Sequence, residues 1–470
     1  HPLRFATAAD AAGSTEYTTG VETNGTPGNS GAYTRITVAA DAPDTLYYYC
    51  SNHSNMGSTV SIGANFTFNN DADPPNVTAT PKSSLDVATV IALSYPSGVF
   101  VKNDGSSFVG TAYTFATRNL QNQLWVWGYN NYGGLGLNNR TTYSSPIQVP
   151  GNWASLVRGR DDGDGSTASI KTDGTLWASG NNHDGNLGQN SNVNYSSPVQ
   201  IPGTTWSKIS SAGRNNYMAT KTDGTLWVWG EGGYGNLGLN ATARVSSPTQ
   251  LPGTTWSTIS SAFVAGLAIK TNGTLWSWGY NGDGQLGQNN KIKYSSPIQI
   301  PGTTWQKLSH ANAGTVGAIK TDGTLWVWGQ NNWGQLGQNG AIPDGGNSSP
   351  IQIPGTTWAS SSGSFAIKTN GTLWAWGRNH EGQLGQNNTT NVSSPVQIPG
   401  TTWSMVRRST DSVAKVMAIK TDGTLWAWGE NVHGYDNTVV TKSSPVQIPG
   451  TTWTSVSLYN GGGFLAIKEG

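Results

Sequence analysis

The chain has 470 residues, of which 11% are charged, and it contains 62 glycines, 21 tryptophans and one cysteine at a formal net charge of +1. The near-neutral charge, without runs of lysine or arginine, argues against nucleic acid as a partner. The single cysteine excludes a scaffold held by internal disulfides, and no apolar stretch is long enough for a membrane-spanning helix. A glycine-punctuated, aromatic-rich and weakly charged sequence is typical of an all-β protein, and its length predicts more than one domain.

Residues 1–68 predict a small β module. Four short runs, separated by glycine, proline and aspartate turns, predict strands at residues 3–7, 33–38, 45–50 and 58–63. Because the texture of these residues differs from that of the remaining chain, we treat them as a domain of their own.

The module contains side chains typical of a blue-copper site. Two imidazoles, one thiolate and a weak thioether suit copper in either oxidation state, and all four are present: His1, Cys50, His53 and Met56. The stretch "HPLRF" (1–5) follows the form HxxxF, and "YYCSNHSNM" (48–56) follows the form YxCxxHxxM. In both stretches the module resembles the cupredoxins, in which one histidine comes from a strand of the first form and three ligands come from a loop of the second.

That resemblance implies a cupredoxin-like β-sandwich module, with His1 and His53 as equatorial ligands, Cys50 as the equatorial thiolate and Met56 as the axial ligand. It also implies one-electron transfer, or copper that holds the loop in shape. Two other interpretations stay open. Cys50 can be a buried hydrophobe beside Met56 in a copper-free module, or His1 can bind copper through its amine and its ring, as in oxidative polysaccharide-cleaving enzymes.

Residues 69–118 predict a connector. Residues 69–84 are rich in proline, asparagine, aspartate and serine, as linkers are. Residues 87–101 can supply one or two strands that pack on the domain that follows.

Internal repetition dominates the chain from residue 119 onward. The pattern LWxWG, with LWASG as one variant, occurs seven times, and successive copies are 52, 50, 49, 50, 48 and 52 residues apart. The copies begin at Leu124, Leu176, Leu226, Leu275, Leu325, Leu373 and Leu425. Seven copies of a unit of about 50 residues indicate a repeat array.

Each unit predicts three or four short strands. In "IKTDGTLWVWG" (319–329), Asp322-Gly323 separates two alternating runs, which predicts a tight hairpin with positive φ at both turn residues. "GQLGQN" (334–339) supplies further turns, and "SSPIQIPGTTW" (348–358) predicts an edge strand bounded by prolines. Because so small a sheet must cover both of its faces, neighbouring sheets are expected to stack and close into a ring.

These repeats resemble the regulator of chromosome condensation repeat, whose members form seven-bladed β-propellers. The resemblance covers residues 119–470 and implies that fold for them, after the N-terminal module. We expect the C-terminal strand "FLAIKEG" (464–470) to complete the first blade, with "VFVKNDG" (99–105) as the alternative closing strand.

The repeats contain no recognisable catalytic motif, so we expect a protein that is not an enzyme. Asp161, Asp162 and Asp164 form a glycine-containing cluster similar to a calcium loop, but no bidentate glutamate follows, which favours a solvated loop. The histidines of the repeats lie in separate units and are interpreted as surface-loop residues: His183, His310, His380 and His433.

Two stretches of each unit vary between copies, for example residues 338–347 and 404–417, whereas the framework is nearly constant. Variable loops on a rigid scaffold are where binding specificity usually resides, so a protein or glycan partner is expected there. The combination of module and low-charge repeats also resembles predicted structural proteins of marine bacteriophages. We therefore predict a non-enzymatic structural or binding protein of a virion appendage or an extracellular surface, which can form homo-oligomers. The alternatives are a blue-copper electron-transfer protein and a lectin-like glycan-binding adhesin.

Overall fold

The computed structural model describes most of the repeat region and, upstream of it, separate β-strands. It covers residues 3–6, 16–19, 21–24, 33–36, 45–50, 57–61, 64–69, 76–81, 90–91, 99–103, 107–110, 114–118, 122–158, 165–211, 215–262, 264–309, 314–340, 346–409, 414–432, 440–458 and 464–469. Between residues 33 and 118 the backbone alone is described. The described residues form strands, turns and loops without a helix, which confirms the all-β prediction.

The N-terminal strands form two antiparallel sheets, one in the order β1-β4-β5 and one in the order β2-β3-β6-β7. Their bounds are β1 Leu3–Ala6, β2 Val21–Asn24, β3 Tyr33–Ile36, β4 Thr45–Cys50, β5 Gly57–Ser61, β6 Ala64–Asn69 and β7 Asn76–Pro81. All four strands expected from the sequence are present, whereas the sequence pattern does not predict β2, β6 and β7. The second sheet extends past residue 68 because β7 pairs with the whole length of β6. A cupredoxin-like arrangement of the two sheets stays a prediction.

Two strands, β8 (Val90–Ile91) and β9 (Val99–Asn103), precede seven four-stranded antiparallel sheets, each with its strands in chain order. We call these sheets blades 1 to 7. Blade 1 consists of β10 Ser107–Gly110, β11 Thr114–Arg118, β12 Leu124–Gly128 and β13 Tyr143–Val149. Blade 2 consists of β14 Trp153–Arg158, β15 Ser166–Lys171, β16 Leu176–Gly180 and β17 Tyr195–Ile201. Blade 3 consists of β18 Trp206–Ser211, β19 Asn216–Lys221, β20 Leu226–Gly230 and β21 Val245–Leu251.

Blades 4 to 7 repeat the same plan. Blade 4 consists of β22 Trp256–Ala262, β23 Ala265–Lys270, β24 Leu275–Gly279 and β25 Tyr294–Ile300. Blade 5 consists of β26 Trp305–Ser309, β27 Thr315–Lys320, β28 Leu325–Gln330 and β29 Gly346–Ile353. Blade 6 consists of β30 Trp358–Ser362, β31 Phe365–Lys368, β32 Leu373–Gly377 and β33 Val392–Gln397. Blade 7 consists of β34 Trp403–Arg408, β35 Lys415–Lys420, β36 Leu425–Val432 and β37 Val440–Ile448.

The first strands of neighbouring blades contact each other around the ring, so they lie innermost. The seven antiparallel sheets agree with the predicted seven-bladed propeller. The last two strands, β38 (Trp453–Leu458) and β39 (Phe464–Glu469), join β9 and β8 in a further sheet, and β38 contacts both β34 and β10. This further sheet therefore lies in the ring between blade 7 and blade 1, so the closed ring contains eight four-stranded sheets, one more than the seven predicted from the repeats.

The predicted closure, in which residues 464–470 complete the first blade, is wrong in its partner strand. In the structure β39 pairs in parallel with β9, with Leu465 opposite Val99, and β11 occupies the position beside the first LWVWG strand. A short connection joins β11 to β12, and a local hairpin closes at a smaller entropic cost than a pairing between the two ends of the chain. Residues 69–118, expected to be a connector, thus contribute strands to three sheets.

The hydrophobic core is divided into clusters that lie between neighbouring blades. In one of them Leu267, Ile269 and Leu275 of blade 4 pack with Val316 and Trp328 of blade 5, all of them buried. Because every blade buries its faces against two neighbours, no blade has a complete core by itself.

The hairpin between the second and third strands differs from the prediction in its turn type. Gly323 has a φ of 76°, whereas Asp322 does not adopt a positive φ. Gly323 N donates to the carbonyl oxygen of Lys320 at 3.0 Å, and Lys320 N donates to the carbonyl oxygen of Thr324 at 3.0 Å. This pattern is a three-residue loop with a glycine bulge, which needs the left-handed conformation at the glycine alone.

Candidate binding surface

The hairpins between second and third strands lie on one face of the ring, which we call the turn face, and a lysine there lies between two tryptophans. In blade 5, Lys320 Nζ is 4.7 Å from the ring centroid of Trp305 and 4.2 Å from that of Trp326, and the two rings meet edge to face. The equivalent sets are Lys171 with Trp153 and Trp177, Lys221 with Trp206 and Trp227, Lys270 with Trp256 and Trp276, Lys368 with Trp358 and Trp374, and Lys420 with Trp403 and Trp426. Such cation–π contacts join the first three strands of blades 2 to 7, so these lysines belong to the framework.

The turn-face carboxylates are also structural. Asp322 Oδ1 accepts hydrogen bonds from Thr324 Oγ1 at 2.7 Å and from Thr324 N at 2.9 Å, and Thr324 Oγ1 accepts one from Trp326 Nε1 at 2.9 Å. In four blades the hydrogen bonds from the threonine lower the pKa of the aspartate, and the bond from the threonine hydroxyl has the largest effect. These aspartates are Asp173, Asp223, Asp322 and Asp422. In blades 4 and 6 the same bonds are made by Asn272 and Asn370. An amide serves equally well at this position, so the carboxylate is not selected for acid–base chemistry.

A cleft of about 410 Å³ opens on the turn face between blades 4 and 5. Its lining includes Lys270, Asn272, Thr304 and Trp305. Counterparts of these residues occupy the same positions in other blades, so this cleft presents framework residues.

The opposite face, which we call the loop face, carries the loops between third and fourth strands. In five of the blades a buried asparagine fixes this loop by hydrogen bonds. Asn379 Oδ1 accepts a hydrogen bond from Leu384 N at 2.8 Å, and Asn379 Nδ2 donates to the carbonyl oxygens of Asn388 and Thr390 at 3.0 and 2.9 Å. The equivalent residues are Asn130, Asn182, Asn281 and Asn331. In blades 1 to 4 and 6 the loop has the same length of 14 residues between the flanking strands. A common backbone frame therefore presents different side chains from blade to blade.

One loop position differs systematically, and in blades 2, 3 and 5 its side chain contacts the next blade. It is the residue directly before the glycine of GxLG, and in blades 1 to 6 it alternates between aromatic and acidic: Tyr132, Asp184, Tyr234, Asp283, Trp333 and Glu381. Burial raises the pKa of Asp283, against the opposing effect of Lys291.

Between blades 2 and 3 this position forms a polar network. Asp184 Oδ2 accepts a hydrogen bond from Asn215 Nδ2 at 2.9 Å, and Asp184 Oδ1 lies 3.6 Å from Arg244 Nη2 and 3.2 Å from His183 Nδ1. Arg244 Nη1 also donates to the carbonyl oxygen of His183 at 2.8 Å. The charges of this network are satisfied within the protein.

Between blades 3 and 4 the position is aromatic. The rings of Tyr234 and Tyr280 meet edge to face with centroids 5.6 Å apart, and Lys293 Nζ lies 5.3 Å from the centroid of Tyr234.

Between blades 5 and 6 the loop face carries an exposed tryptophan. Trp333 is 43% exposed. The imidazole of His380 meets the Trp333 ring edge to face, with the two ring centroids 4.9 Å apart. The guanidinium carbon of Arg378 lies 5.7 Å from the centroid of Trp333, and Asn391 Nδ2 lies 3.3 Å from His380 Nε2. Among the described residues the other exposed large hydrophobic side chains are Val193 and Ile292, also on this face.

The structure describes some of the residues singled out by the sequence and not others. His183 and His380 lie on the loop face, as expected, whereas the histidines and aspartates at the remaining predicted positions lie outside the described residues: His310, His433, Asp161, Asp162 and Asp164. Of the variable segment 404–417, residues up to Arg408 form the innermost strand of blade 7 rather than a loop. The sequence singles out Trp333 as the tryptophan outside the repeat pattern but misses its partners, because they lie on the next repeat.

The predicted copper ligands are largely outside the described residues. Cys50 is the last residue of β4, and its backbone pairs with Leu3 of β1, whereas His1, His53 and Met56 are not described. In the part of the chain that the structure covers, no group of three or more histidine, cysteine, aspartate or glutamate side chains could hold a metal ion. Nor does that part contain a helix long and apolar enough to cross a membrane.

The comparisons with solved structures agree on the propeller. The crystal structure of Prp20p from Saccharomyces cerevisiae, studied for its binding to Gsp1p and histones, aligns with a TM-score of 0.57 and 16% identity over 75% of this chain and 93% of that chain. Human WBSCR16 aligns with a TM-score of 0.56 and 18% identity over 72% of this chain and 96% of that chain. Yeast RCC1 (Prp20) bound by Kap60 aligns with a TM-score of 0.55 and 17% identity over 82% of this chain and 95% of that chain. At these identities the likeness shows the fold.

The family comparison is more specific, although no curated protein sequence matches the chain. The model of the regulator of chromosome condensation (RCC1) repeat matches residues 121–156, 173–219, 223–264, 272–315, 322–362 and 370–409, which together make up more than half of the chain. With its repeated strands, its closed ring and these six matches, the chain belongs to the family of regulator of chromosome condensation repeat proteins.

Proposed function

We propose that this chain is a non-enzymatic binding protein of a virion appendage or a cell surface, and that it recognises its partner through the loop face of the propeller. The observation that carries the proposal is the combination of a constant frame with changing side chains. The buried asparagine fixes the loop in blades 1, 2, 4, 5 and 6, yet the position before GxLG is a tyrosine, an aspartate, a tryptophan or a glutamate, of which the tryptophan, Trp333, is exposed and the others are partly buried. Binding proteins commonly place variable loops on a rigid scaffold in this way.

A binding role is also supported by the relatives. Prp20p, a propeller of similar fold, binds Gsp1p and histones. The present chain has a formal net charge of +1, so its overall charge gives no net attraction for a basic histone partner. We expect its partner to be different.

Loop exchange tests the proposal with a matched control. In one variant the blade 6 loop, residues 378–391, is replaced by the blade 4 loop, residues 280–293, which has the same length and the same anchoring asparagine. In the control the turn-face hairpin of blade 5, residues 320–324, is given the sequence of the blade 4 hairpin, residues 270–274, which amounts to the single substitution Asp322→Asn. The proteins are labelled and their attachment to a panel of intact bacterial strains and virus particles is measured. We expect loop exchange to reduce attachment and hairpin exchange to leave it unchanged; equal attachment of both variants and the parent would contradict the proposal.

A second proposal concerns the N-terminal strands, because one observation favours it. β1 and β4 are hydrogen-bonded neighbours with Leu3 opposite Cys50, so the strand of "HPLRF" lies beside the strand that leads into "CSNHSNM". His1, Cys50, His53 and Met56 would hold copper there, and the bound ion would supply one-electron transfer. Copper titration of the full chain is expected to produce the visible copper–thiolate absorption, and Cys50→Ser to abolish it while leaving the propeller folded. A copper-loaded chain without that absorption would contradict this second proposal.

A further inference from the structure

The indole of Trp333 is built as an exposed platform rather than as a core residue. The other 20 tryptophans of the chain occupy LWxWG or the segments that end in PGTTW or PGNW, whereas Trp333 lies on the loop face and is 43% exposed. The edge-to-face contact with His380 and the nearby Arg378 support the ring from the neighbouring blade. Trp333 N also donates to Gln335 Oε1 at 2.7 Å, which orders its loop. An exposed ring that is held in position can stack on a flat ligand surface at a small entropic cost.

Amide and imidazole groups lie near this platform. Asn391 Nδ2 lies 3.3 Å from His380 Nε2, and Asn332, adjacent to Trp333, is exposed. Asparagine both donates and accepts hydrogen bonds. Sugar hydroxyls also do both, and the C–H groups on one side of a hexose ring complement the electron-rich face of an indole.

Aromatic residues recur at the same loop position in alternate blades. Tyr132 in blade 1 and Tyr234 in blade 3 correspond to Trp333 in blade 5, and Tyr234 packs against Tyr280 of the next blade. Trp333 is the exposed ring of this set and the two tyrosines are partly exposed, and aromatic rings at separated positions suit a polymer of repeating units better than a single small ligand.

The described loops between third and fourth strands carry nearly balanced charges. In the described residues of these loops in blades 1 to 6 the cations are Arg140, Arg244, Lys291, Lys293 and Arg378, and the acids are Asp184, Glu231, Asp283 and Glu381. Five cations and four acids give little net attraction for a polyanion. The ligand chemistry that fits is therefore uncharged.

We propose that Trp333, with His380 and Asn391, binds a neutral hexose-based polysaccharide by stacking the indole on the apolar side of one sugar ring. The inference rests on the proposed function and names the partner class of the loop face.

The test uses the full chain and defined probes. Binding of maltopentaose, cellopentaose, mannopentaose and chitopentaose is measured by calorimetry, with heparin and oligogalacturonate as acidic comparators. We expect at least one neutral oligosaccharide to bind, with an affinity that Trp333→Ala lowers about tenfold or more and that Trp333→Phe largely preserves. Ile292→Ala, on another loop of the same face, is the matched control and is expected to leave the affinity unchanged.

Three results would overturn the inference: no neutral oligosaccharide binds, Trp333→Ala binds as well as the parent, or only the acidic probes bind and added salt abolishes that binding. If the loop exchange still abolishes attachment to cells or virus particles while the oligosaccharides fail, the loop face recognises another partner class and the proposed function stands. If both fail, the proposed function fails as well.

Discussion

The turn face and the loop face are built by the same seven blades, yet they differ in what repeats. On the turn face the same lysine and the same pair of tryptophans recur in blades 2 to 7, with nearly constant distances. On the loop face the backbone contacts of the anchoring asparagine recur, but the exposed side chains change. Repetition of a side chain indicates a stabilising role, and we interpret variation on a repeated backbone as the basis of the proposed recognition.

The largest expected effect comes from removing a tryptophan of the repeated framework. Trp328 is fully buried between blades 4 and 5, and its Nε1 donates to the carbonyl oxygen of Gln285 at 2.9 Å. Trp328→Ala is expected to lower the free energy of unfolding by about 3–5 kcal/mol, because it leaves a large cavity. Chemical denaturation measures the change. Trp333→Ala is the control and should change the free energy of unfolding by less than about 0.5 kcal/mol. If both variants lost similar amounts of stability, the assignment of Trp328 to the framework and of Trp333 to an exposed binding position would be contradicted.

A smaller loss of stability is expected when the asparagine that fixes a loop of the loop face is removed. Asn379 is buried and bonds the loop at both ends, so Asn379→Ala leaves Leu384 N and two carbonyl groups without their partner. We expect a loss of about 1–3 kcal/mol in the free energy of unfolding, together with faster hydrogen exchange in residues 380–391. The exposed neighbour provides the comparison, since Asn388→Ala should cost less. A stable variant with unchanged exchange would show that the asparagine does not hold the loop.

The smallest effect concerns acid stability of the turn face. The folded-state pKa of Asp173, Asp223, Asp322 and Asp422 is lowered by the threonine hydrogen bonds. These groups therefore contribute stability above the unfolded pKa of about 4, and that contribution is lost as the pH falls through the lower folded pKa. Changing all four to asparagine, the residue already present in blades 4 and 6, should flatten the loss of stability below pH of about 4. Thermal unfolding across this range measures it, and an unaltered pH profile would contradict the assigned role.

The framework could be predicted from the sequence because its signals are local and repeated. LWxWG and the segment ending in PGTTW mark strand after strand, and the structure has strands at each of these places. The sequence pattern could not distinguish the turn type, because Asp-Gly occurs in more than one hairpin geometry. In the structure Gly323 takes a positive φ and Asp322 does not. The strand Thr114–Arg118 carries none of the repeat signature, so its place beside the first LWVWG strand could not be read in advance.

The candidate site was less predictable because it forms between repeats. Trp333 stands out as the tryptophan outside the pattern, but its contact with His380 depends on which loops the ring brings together. A usable signal does exist in the residue before GxLG, where aromatic and acidic types alternate from blade to blade. The copper ligands His1, Cys50, His53 and Met56 stay a prediction from motif spacing, since the structure describes only the backbone of Cys50.

The division of labour between the faces can be tested most directly by blocking one face at a time. In a Cys50→Ser background a single cysteine replaces Asn332 on the loop face or Thr321 on the turn face of the same blade, and each thiol is coupled to a bulky protein. Attachment to the panel of bacterial strains and virus particles is then compared. We expect the block at residue 332 to abolish attachment and the block at residue 321 to leave it intact. Loss of attachment from the turn-face block alone would contradict the assignment of recognition to the loop face.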